Sequence, residues 1–408
     1  MSQDAMLKDL AQPCLACTAC TCAQAVPYIP KVTSAFARDD MEGAYASIRS
    51  HNLLPEMSAR VCSSFSQAEA GCVEIRQGRN AVPVRDIVRA VSHWARKHKV
   101  TAVNIASRES GKKIAVIGGG PAGVSAAVRL LEFGHRVVLF EAEQRLGGAP
   151  ETLFCSARYE EAQTEITPIL QRALNAHRLE LRFNRRLGKH VRLKELVSLY
   201  DATLLSTGLW QEFPFEASSR EVVGAINFLR EVKAGDRVAV HGKVAVLAGG
   251  DEAFDVAEAC IALGAESVSV VTPDAPKNLE WPGGAAWFEK EQVTLLPYTQ
   301  PIDFAGGLQT IRTQSVDGLL YQVENSEETL AIDFVVSATG VTIADGVRSQ
   351  IQGLALSEYG LVAETDYLTS QPGVFVAGSL MNGGVSVGRC VQDGMEAAGA
   401  INAYLKQV

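Results

Sequence analysis

The fold is decided by residues 113–143, KIAVIGGGPAGVSAAVRLLEFGHRVVLFEAE. A short apolar run leads into a glycine turn, an apolar helical pattern follows, and a second apolar run ends at an acidic residue. This order predicts a strand, a helix and a parallel strand, the repeating unit of an α/β sheet. The glycines have the spacing G-x-G-x-x-G between the first strand and the helix, which is typical of a dinucleotide-binding turn.

Each of the three motif positions in this turn favours glycine for a different physical reason. Gly118 permits the tight turn, Gly120 lets backbone N–H groups approach a pyrophosphate, and Gly123 lets the helix pack closely on the strand. Glu141 ends the second strand, 18 residues after Gly123, where its carboxylate can accept a ribose hydroxyl. The alternative is a glycine turn that binds nothing. The predicted site consists of Gly118, Gly120, Pro121, Ala122, Gly123 and Glu141.

The same pattern recurs at residues 243–274, KVAVLAGGDEAFDVAEACIALGAESVSVVTPD. Ala248 stands where the first glycine is expected, and alanine is tolerated there only if its φ is negative. Asp274 follows the second strand, where it would repel the 2′-phosphate of NADPH and could bond a 2′-hydroxyl, so we predict NADH. The alternative is a domain that keeps its fold but no longer binds dinucleotide. The predicted contacts are Gly249, Gly250, Asp251 and Asp274.

The composition narrows the functional class. The 408 residues are 47% hydrophobic with a formal net charge of −8, which argues against a general nucleic-acid binder because phosphate binding depends on clustered Lys and Arg. The first residues contain no apolar signal segment, and no apolar run reaches the roughly 18 residues of a membrane span. We therefore expect a cytoplasmic protein, in which clustered cysteines are more often metal ligands than disulfides.

Cysteines are concentrated near the N-terminus, where residues 14–22 contain four and Cys62 and Cys72 follow. Four cysteines at one site would suit a [4Fe–4S] cluster or a tetrahedral zinc ion. Apolar residues at helical spacing run through 41–56, where we expect a helix to stop at Pro55, and through 81–98. The isolated cysteines, predicted to be core or spacer thiols, are Cys155, Cys260 and Cys390.

Several stretches resemble flavoproteins with two dinucleotide-binding domains: the continuation EQRLGG at 143–148, the strand ends LLSTG at 204–208 and SATG at 337–340, and the closing GVFVAGS at 373–379. The order of segments along the whole chain and the cysteine motifs resemble the glutamate synthase small-subunit family. That family includes the N-terminal half of dihydropyrimidine dehydrogenase and its bacterial NAD-linked subunit. The cofactor contacts that the resemblance implies are Arg145, Gly148, Thr207, Gly208, Thr339, Gly340, Gly378, Ser379, Ser386 and Val387.

The resemblance covers nearly all of the chain and implies its organisation. The fold class is an α/β flavoprotein with two dinucleotide-binding domains and an N-terminal all-α cysteine-rich iron–sulfur domain. The cysteine-rich domain is residues 1–110, the FAD-binding domain is 111–220 and 333–408, and the NAD(P)-binding domain is inserted at 221–332. The helix that starts near Ser386 would point its N-terminus at the isoalloxazine ring, where its positive end favours reduced flavin.

The cysteines of this chain match only part of the family's two cysteine motifs. The family holds two [4Fe–4S] clusters with the motifs C-x2-C-x4-C-x3-C-P and C-x5-C-x3-C. Val26 and Ala68 stand where two of those cysteines belong, so the resemblance implies that one cluster is lost and that Cys62 is a remnant in the core. Cys20 is additional, and zinc or complete loss of metal are the alternatives. The ligands implied for the remaining cluster are Cys14, Cys17, Cys22 and Cys72.

The resemblance implies an NAD(P)H-dependent electron-transfer subunit. Electrons would pass from the nicotinamide through FAD and one cluster to a partner protein, either a catalytic subunit or a ferredoxin. Hydride transfer to flavin requires two stacked rings and no protein nucleophile, so we predict no catalytic side chain. Two alternatives are a non-catalytic FAD-binding scaffold and a standalone flavin oxidoreductase that acts on a small molecule.

Overall fold

The computed structural model describes residues 3–14, 26–154, 162–215, 217–218, 222–236, 238–249, 252–275, 284–289, 292–317, 319–357, 361–362 and 364–407. The chain divides into two compact units. Unit 1 comprises Met1–Glu151, Glu161–Leu209 and Ile343–Val408, and unit 2 comprises Thr152–Glu160 and Trp210–Thr342. The boundaries of the four predicted segments stay predictions, because a division into two compact units does not separate the cysteine-rich segment from the FAD segment.

The regular elements described before Lys113 are helices. The longest, α7, buries Val84, Ile87, Val88, Val91 and Ala95, a spacing of three and four residues that places them on one face. Asp40 caps α3, since its carboxylate accepts the Gly43 N–H at 2.8 Å. These helices are α1 Gln3–Ala11, α2 Ile29–Ala37, α3 Met41–Arg49, α4 Pro55–Val61, α5 Ser63–Ala70, α6 Val73–Arg76 and α7 Val84–Lys97.

One expected helix end is wrong. The helix expected to continue to Pro55 ends at Arg49, and Pro55 instead begins α4 as its first residue. Proline is favoured at that position because its fixed φ suits a helix and the missing N–H would have no partner there.

Unit 1 contains a five-stranded sheet in the order β16-β4-β1-β2-β3, with every pairing parallel. Helix α8 is rich in Ala and Val and buries nine of its twelve residues. The elements are β1 Lys113–Ile117, α8 Pro121–Glu132, β2 Arg136–Phe140, α9 Ala149–Thr152, α10 Gln163–Asn175, β3 Leu179–Arg182, α11 Leu193–Leu199, β4 Ala202–Leu205, α14 Asp345–Gln350, β16 Val374–Val376, α15 Ser379–Asn382 and α16 Val387–Tyr404.

Unit 2 repeats this design. Its parallel sheet has the order β6-β14-β7-β8-β9, and a separate antiparallel sheet is formed by β10 to β13. The elements are β5 Gln211–Glu212, β6 Val222–Gly224, α12 Ala225–Ala234, β7 Lys243–Ala248, α13 Glu252–Ala262, β8 Ser267–Val271, β9 Val293–Leu296, β10 Thr299–Phe304, β11 Leu308–Val316, β12 Leu319–Gln322, β13 Glu328–Leu330, β14 Phe334–Ala338 and β15 Val341–Thr342, with a 3₁₀ helix at Gly284–Glu289.

In the described ranges, no helix is both long enough and apolar enough to cross a bilayer.

Candidate functional site

The turn after β1 requires glycine at two positions because of the protein's own packing. Gly118 has φ +104°, and a Cβ there would overlap the carbonyl oxygen of Ser206. A Cβ on Gly123 would overlap the carbonyl oxygen of Gly118, so this glycine lets α8 lie directly against the strand end. The roles predicted for these two glycines in the turn and in the packing agree with this geometry.

Gly120 is different, because the packing of the described residues does not require glycine there. Its φ of −73° and ψ of −175° are open to any residue. A Cβ at this position would meet only the Cα of Gly148, at 3.8 Å. Gly148 has φ +62° and faces the same space, and a Cβ there would lie 2.9 Å from the Cα of Gly120. Among the described residues, the start of α8 thus has room for a side chain that Gly120 lacks, and this room is compatible with the close approach of a pyrophosphate to the helix N-terminus.

Glu141 is fixed at the end of β2 by the backbone of the turn. Its carboxylate accepts the Gly119 N–H at 2.6 Å and the Glu143 N–H at 2.8 Å. The side chain is buried, and this burial raises the pKa of Glu141. A carboxylate has about four acceptor positions, so a ribose hydroxyl is compatible with these two bonds.

Two other strand ends meet this turn. The Ser206 hydroxyl donates to the carbonyl oxygen of Ile117 at 3.0 Å, and the Cα of Thr207 lies beside Gly118. After β16, Gly378 has φ +74°, and a Cβ there would lie 2.9 Å from the Cβ of Ala122. The structure thus brings the predicted residues 207–208 and 378–379 to the carboxyl edge of the sheet, where α/β folds bind ligands.

Arg145, predicted to contact the flavin, forms an ion pair with the buried carboxylate of Glu151 at 3.2 Å. Its own side chain is largely exposed. Gln163 lies nearby and donates from its amide to the carbonyl oxygen of Leu146. These contacts hold the loop that carries Gly148, and a flavin contact of Arg145 stays a prediction.

Helix α16 begins at the same edge. Ser386 caps it, since its hydroxyl oxygen accepts the Arg389 N–H at 3.1 Å. A Cβ on Gly394 would overlap the carbonyl oxygen of Ala122, so the two helices are in backbone contact there. The predicted contacts Ser386 and Val387 therefore precede the point where α16 meets the start of α8.

In unit 2, the second glycine turn starts one residue later than the pattern predicts. Ala248 continues the ladder of β7 by pairing with Ala338, and it is not among the described non-glycine residues with positive φ. Alanine is therefore compatible with this position. The turn starts one residue later, at Gly249, whose N–H donates to the carbonyl oxygen of Ala338 at 2.9 Å. A Cβ on Gly249 would lie 2.8 Å from the carbonyl oxygen of Thr339.

The other residues of this second site are described only in part. Gly340 has φ +115°, and a Cβ there would lie 3.5 Å from the ring of Phe213, an exposed aromatic residue that the sequence did not indicate. Asp274 follows β8 and donates its N–H to the Thr272 hydroxyl oxygen at 3.2 Å. Gly250 and Asp251 lie outside the described residues, so their predicted contacts stay predictions.

The predicted cluster ligands are also described only in part. Cys14 follows α1 and Cys72 precedes α6, whereas Cys17, Cys20 and Cys22 lie outside the described residues. Within the described part of the chain, no three His, Cys, Asp or Glu side chains are placed to hold a metal ion. The ligand set therefore stays a prediction.

Two positions assigned by the resemblance to a second cluster lie in the core. Val26 is 5% exposed and Ala68 1%, so apolar side chains occupy two positions where the family has cysteine. Cys62 is buried as expected, and its sulfur accepts the Gly388 N–H at 3.2 Å, a contact that the sequence did not indicate. Cys260 is buried, as predicted, and this burial raises the pKa of its thiol to about 12. Cys390 is partly exposed on α16, so its assignment as a core or spacer thiol stays a prediction. Cys155 lies outside the described residues.

Comparison with known proteins agrees with this geometry. The pyridine nucleotide-disulphide oxidoreductase family matches residues 112–399. The chain belongs to this family. A second family, dihydropyrimidine dehydrogenase domain II with a 4Fe-4S cluster, matches residues 1–100.

Two curated relatives align with nearly the whole chain. The NAD-dependent dihydropyrimidine dehydrogenase subunit PreT homolog of Salmonella typhi is 26% identical over 97% of this chain and 94% of its own length. The glutamate synthase [NADPH] small chain of Azospirillum brasilense is 27% identical over 99% of this chain and 90% of its own length. The predicted resemblance is thus confirmed.

Among solved structures, Mycobacterium tuberculosis FprA in complex with NADPH has a TM-score of 0.61 at 16% identity, covering 74% of this chain and 85% of that one. This likeness shows the fold. The predicted cofactor classes, FAD with a nicotinamide dinucleotide and a 4Fe-4S domain, are confirmed by the two family matches. NADH over NADPH, the ligand set and the single cluster stay predictions.

Proposed function

We propose that this protein is an NAD(P)H-dependent FAD/[4Fe–4S] oxidoreductase subunit that passes electrons from NADH through FAD and one cluster to a partner protein. The observation that carries the proposal is the room left for a ligand beside Gly120, where the packing of the described residues does not require glycine. It lies at the carboxyl edge of a parallel sheet, in a chain that matches a flavoprotein reductase family and a 4Fe-4S family.

The residues of unit 1 would bind and orient the flavin dinucleotide. The first N–H groups of α8 would face its pyrophosphate, and Glu141 would accept a ribose hydroxyl while the turn holds the carboxylate in place. When bound, FAD supplies the capacity to take a hydride from NAD(P)H and to release electrons singly to an iron–sulfur centre. No protein side chain needs to act as a nucleophile, a general acid or a general base in this chemistry.

The nicotinamide dinucleotide would bind at the Gly249 turn of unit 2. Asp274 would favour NADH, since its carboxylate can bond a 2′-hydroxyl but repels a 2′-phosphate. The segment 1–110 would be an all-α cysteine-rich domain, and Cys14, Cys17, Cys22 and Cys72 would ligate its single cluster. The burial of Val26 and Ala68 supports a single cluster, because apolar side chains cannot ligate iron.

The partner would be a catalytic or electron-accepting protein. The relatives are named as a subunit and as a small chain, and this chain covers more than nine-tenths of the Salmonella relative.

The alternative function is a scaffold in which FAD is bound without turnover, and the loss of one cluster position is compatible with it. A chain whose flavin NADH and NADPH both fail to reduce would favour that alternative.

The first test is a cofactor inventory. The chain is purified without oxygen, and iron, sulfide, zinc and flavin are counted per protomer. The proposal expects about four irons, about four sulfides and one FAD, the content of one [4Fe–4S] cluster and one dinucleotide site. Zinc in place of iron, or a chain without FAD, would contradict it.

A further inference from the structure

Helix α16 extends beyond the carboxyl edge of the sheet in unit 1. At its end, the Tyr404 ring contacts Phe375 of β16 at a centroid distance of 5.6 Å, and the Tyr404 hydroxyl lies near Gly373, which precedes β16. Its middle touches the start of α8, where Gly394 lies against Ala122. Val387 lies seven positions before Gly394, and at 1.5 Å per residue this part of the helix extends about 10 Å past that contact. The first two turns of α16 therefore extend past the start of α8, on the side away from Tyr404.

The first three N–H groups of α16 differ in their hydrogen-bond acceptors. In an α-helix the first N–H groups have no intrahelical acceptor. The Arg389 N–H is accepted by the Ser386 hydroxyl oxygen at 3.1 Å, and the Gly388 N–H is accepted by the Cys62 sulfur at 3.2 Å. The Val387 N–H meets no acceptor among the residues that the structure describes. Within the described ranges, this N–H at the positive end of the helix is therefore available to a ligand.

Cys62 is well placed to fix that helix start. It lies between α4 and α5 in extended backbone, and its residue is only 3% exposed. Its backbone N–H donates to the carbonyl oxygen of Ser58 at 3.0 Å, which anchors the residue to the end of α4. The sulfur of a residue held in this way offers a fixed acceptor to α16, which lies 326 positions later in the chain.

We propose that Cys62 is a positioning residue for the flavin. By accepting the Gly388 N–H, its sulfur holds the first turn of α16 so that the Val387 N–H faces the dinucleotide. A thiol at a former cluster position thus supports the flavin-facing helix. This inference rests on the proposed FAD site, and it concerns a residue that the cluster assignment leaves without a role.

The test compares Cys62→Ala with Cys62→Ser, which keeps a hydroxyl acceptor, and with Cys260→Ala as the matched control. Cys260 is also a fully buried cysteine, but it lies in unit 2, on α13. The first readout is hydrogen–deuterium exchange of the peptide 385–392, measured by mass spectrometry on flavin-free protein. The second readout is the ratio of the affinities for reduced and oxidised FAD, which a merely structural role would not change.

In Cys62→Ala we expect the amide hydrogens of this peptide to exchange about three- to tenfold faster. This factor corresponds to the loss of one net hydrogen bond. The affinity ratio should change by a similar factor, Cys62→Ser should recover part of both effects, and Cys260→Ala should match the unmodified chain. Unchanged exchange in Cys62→Ala would overturn the contact. Faster exchange with an unchanged affinity ratio would overturn the positioning role. A native chain that takes up no FAD would overturn the proposed function. The exchange measurement would still test the contact between Cys62 and Gly388, because it is made on flavin-free protein.

Discussion

The backbone N–H of Gly119 donates a 2.6 Å hydrogen bond to Oε2 of Glu141 and thereby ties the glycine turn after β1 to the end of β2. The other carboxylate oxygen accepts the Glu143 N–H at 2.8 Å. One side chain thus holds both loops that border the proposed dinucleotide site.

Glu141→Gln should weaken both the fold and the cofactor site. The amide offers one acceptor oxygen in place of two, so the N–H of Gly119 or Glu143 loses its partner. Leaving a buried donor unpaired lowers the free energy of unfolding by about 1–3 kcal/mol. Denaturant unfolding of flavin-free protein and a titration with FAD measure the two effects. Glu180→Gln, on the exposed part of β3, is the control, and equal results for the two variants would refute the assigned role of Glu141.

Gly120→Ala should abolish FAD binding while the fold stays intact. Among the described residues, the added methyl group would meet only the Cα of Gly148, at 3.8 Å, but it would occupy the approach to the pyrophosphate. Gly399→Ala, on α16 with open space around its Cβ, is the matched control. Gly123→Ala should instead destabilise the fold, because its methyl group would overlap the Gly118 carbonyl oxygen. Thermal unfolding and flavin content are measured for all three, and full FAD occupancy in Gly120→Ala would exclude the site.

Cys14→Ser and Cys72→Ser should each remove the absorbance of the cluster while flavin stays bound. Iron–sulfur clusters require thiolate ligands, and a serine hydroxyl is a poor replacement. Cys62→Ser is the control, since Cys62 contacts α16 and is not assigned to the cluster. Iron and flavin are counted for each purified variant. Unchanged iron in Cys14→Ser and Cys72→Ser would refute the ligand assignment, as would iron loss confined to Cys62→Ser.

Asp274→Ala should weaken NADH by about three- to tenfold more than NADPH, in line with the loss of a hydrogen bond and of a repulsive charge. Dissociation constants for both dinucleotides are measured by fluorescence quenching. Asp236→Ala, an exposed carboxylate of the same unit, serves as the control. An unchanged preference between the two dinucleotides would remove Asp274 as the selecting residue.

The contribution of Glu165 to the stability of the fold should decrease as the pH rises from about 4.5 to about 8. Burial raises the pKa of Glu165 from its ordinary value of 4.5 to about 8, although its carboxylate accepts the Glu56 N–H at 2.7 Å and the Met57 N–H at 2.9 Å. Between these two values the folded chain keeps a proton that the unfolded chain has lost. The bound proton therefore stabilises the fold. This contribution to the free energy of unfolding decreases by up to about 1.4 kcal/mol per pH unit between the two pKa values, and it is lost once the pH passes the folded-state pKa.

Glu165→Gln should make stability less dependent on pH across this window, as judged by denaturant unfolding at several pH values. Glu42→Gln, at an exposed position on α3, should keep the slope of the native chain. An unchanged slope in Glu165→Gln would show that another group is responsible.

The sequence predicted the parts of the site that local pattern determines. The glycine spacing placed the turn after β1, where Gly118 has a positive φ and Gly123 lies against the carbonyl oxygen of Gly118, as such a turn requires. Pro55 was assigned wrongly because proline both ends helices and begins them, and only the neighbouring backbone distinguishes the two cases.

Contacts between distant segments could not be predicted. Cys62 meets Gly388 across 326 positions, and Glu165 meets Met57 across 108. Both contacts depend on how the N-terminal helices pack within unit 1, which no local pattern encodes. Alanine at position 248 is tolerated only if its φ is negative, and the structure, not the sequence, shows that its φ is not positive.

The most direct test of the central claim is anaerobic reduction of the purified chain by NADH, followed by visible and electron paramagnetic resonance spectroscopy. The account predicts prompt bleaching of the flavin band and then the signal of one reduced [4Fe–4S] cluster. A flavin that neither NADH nor NADPH reduces, or a reduced flavin that leaves the cluster oxidised, would contradict electron transfer through this chain.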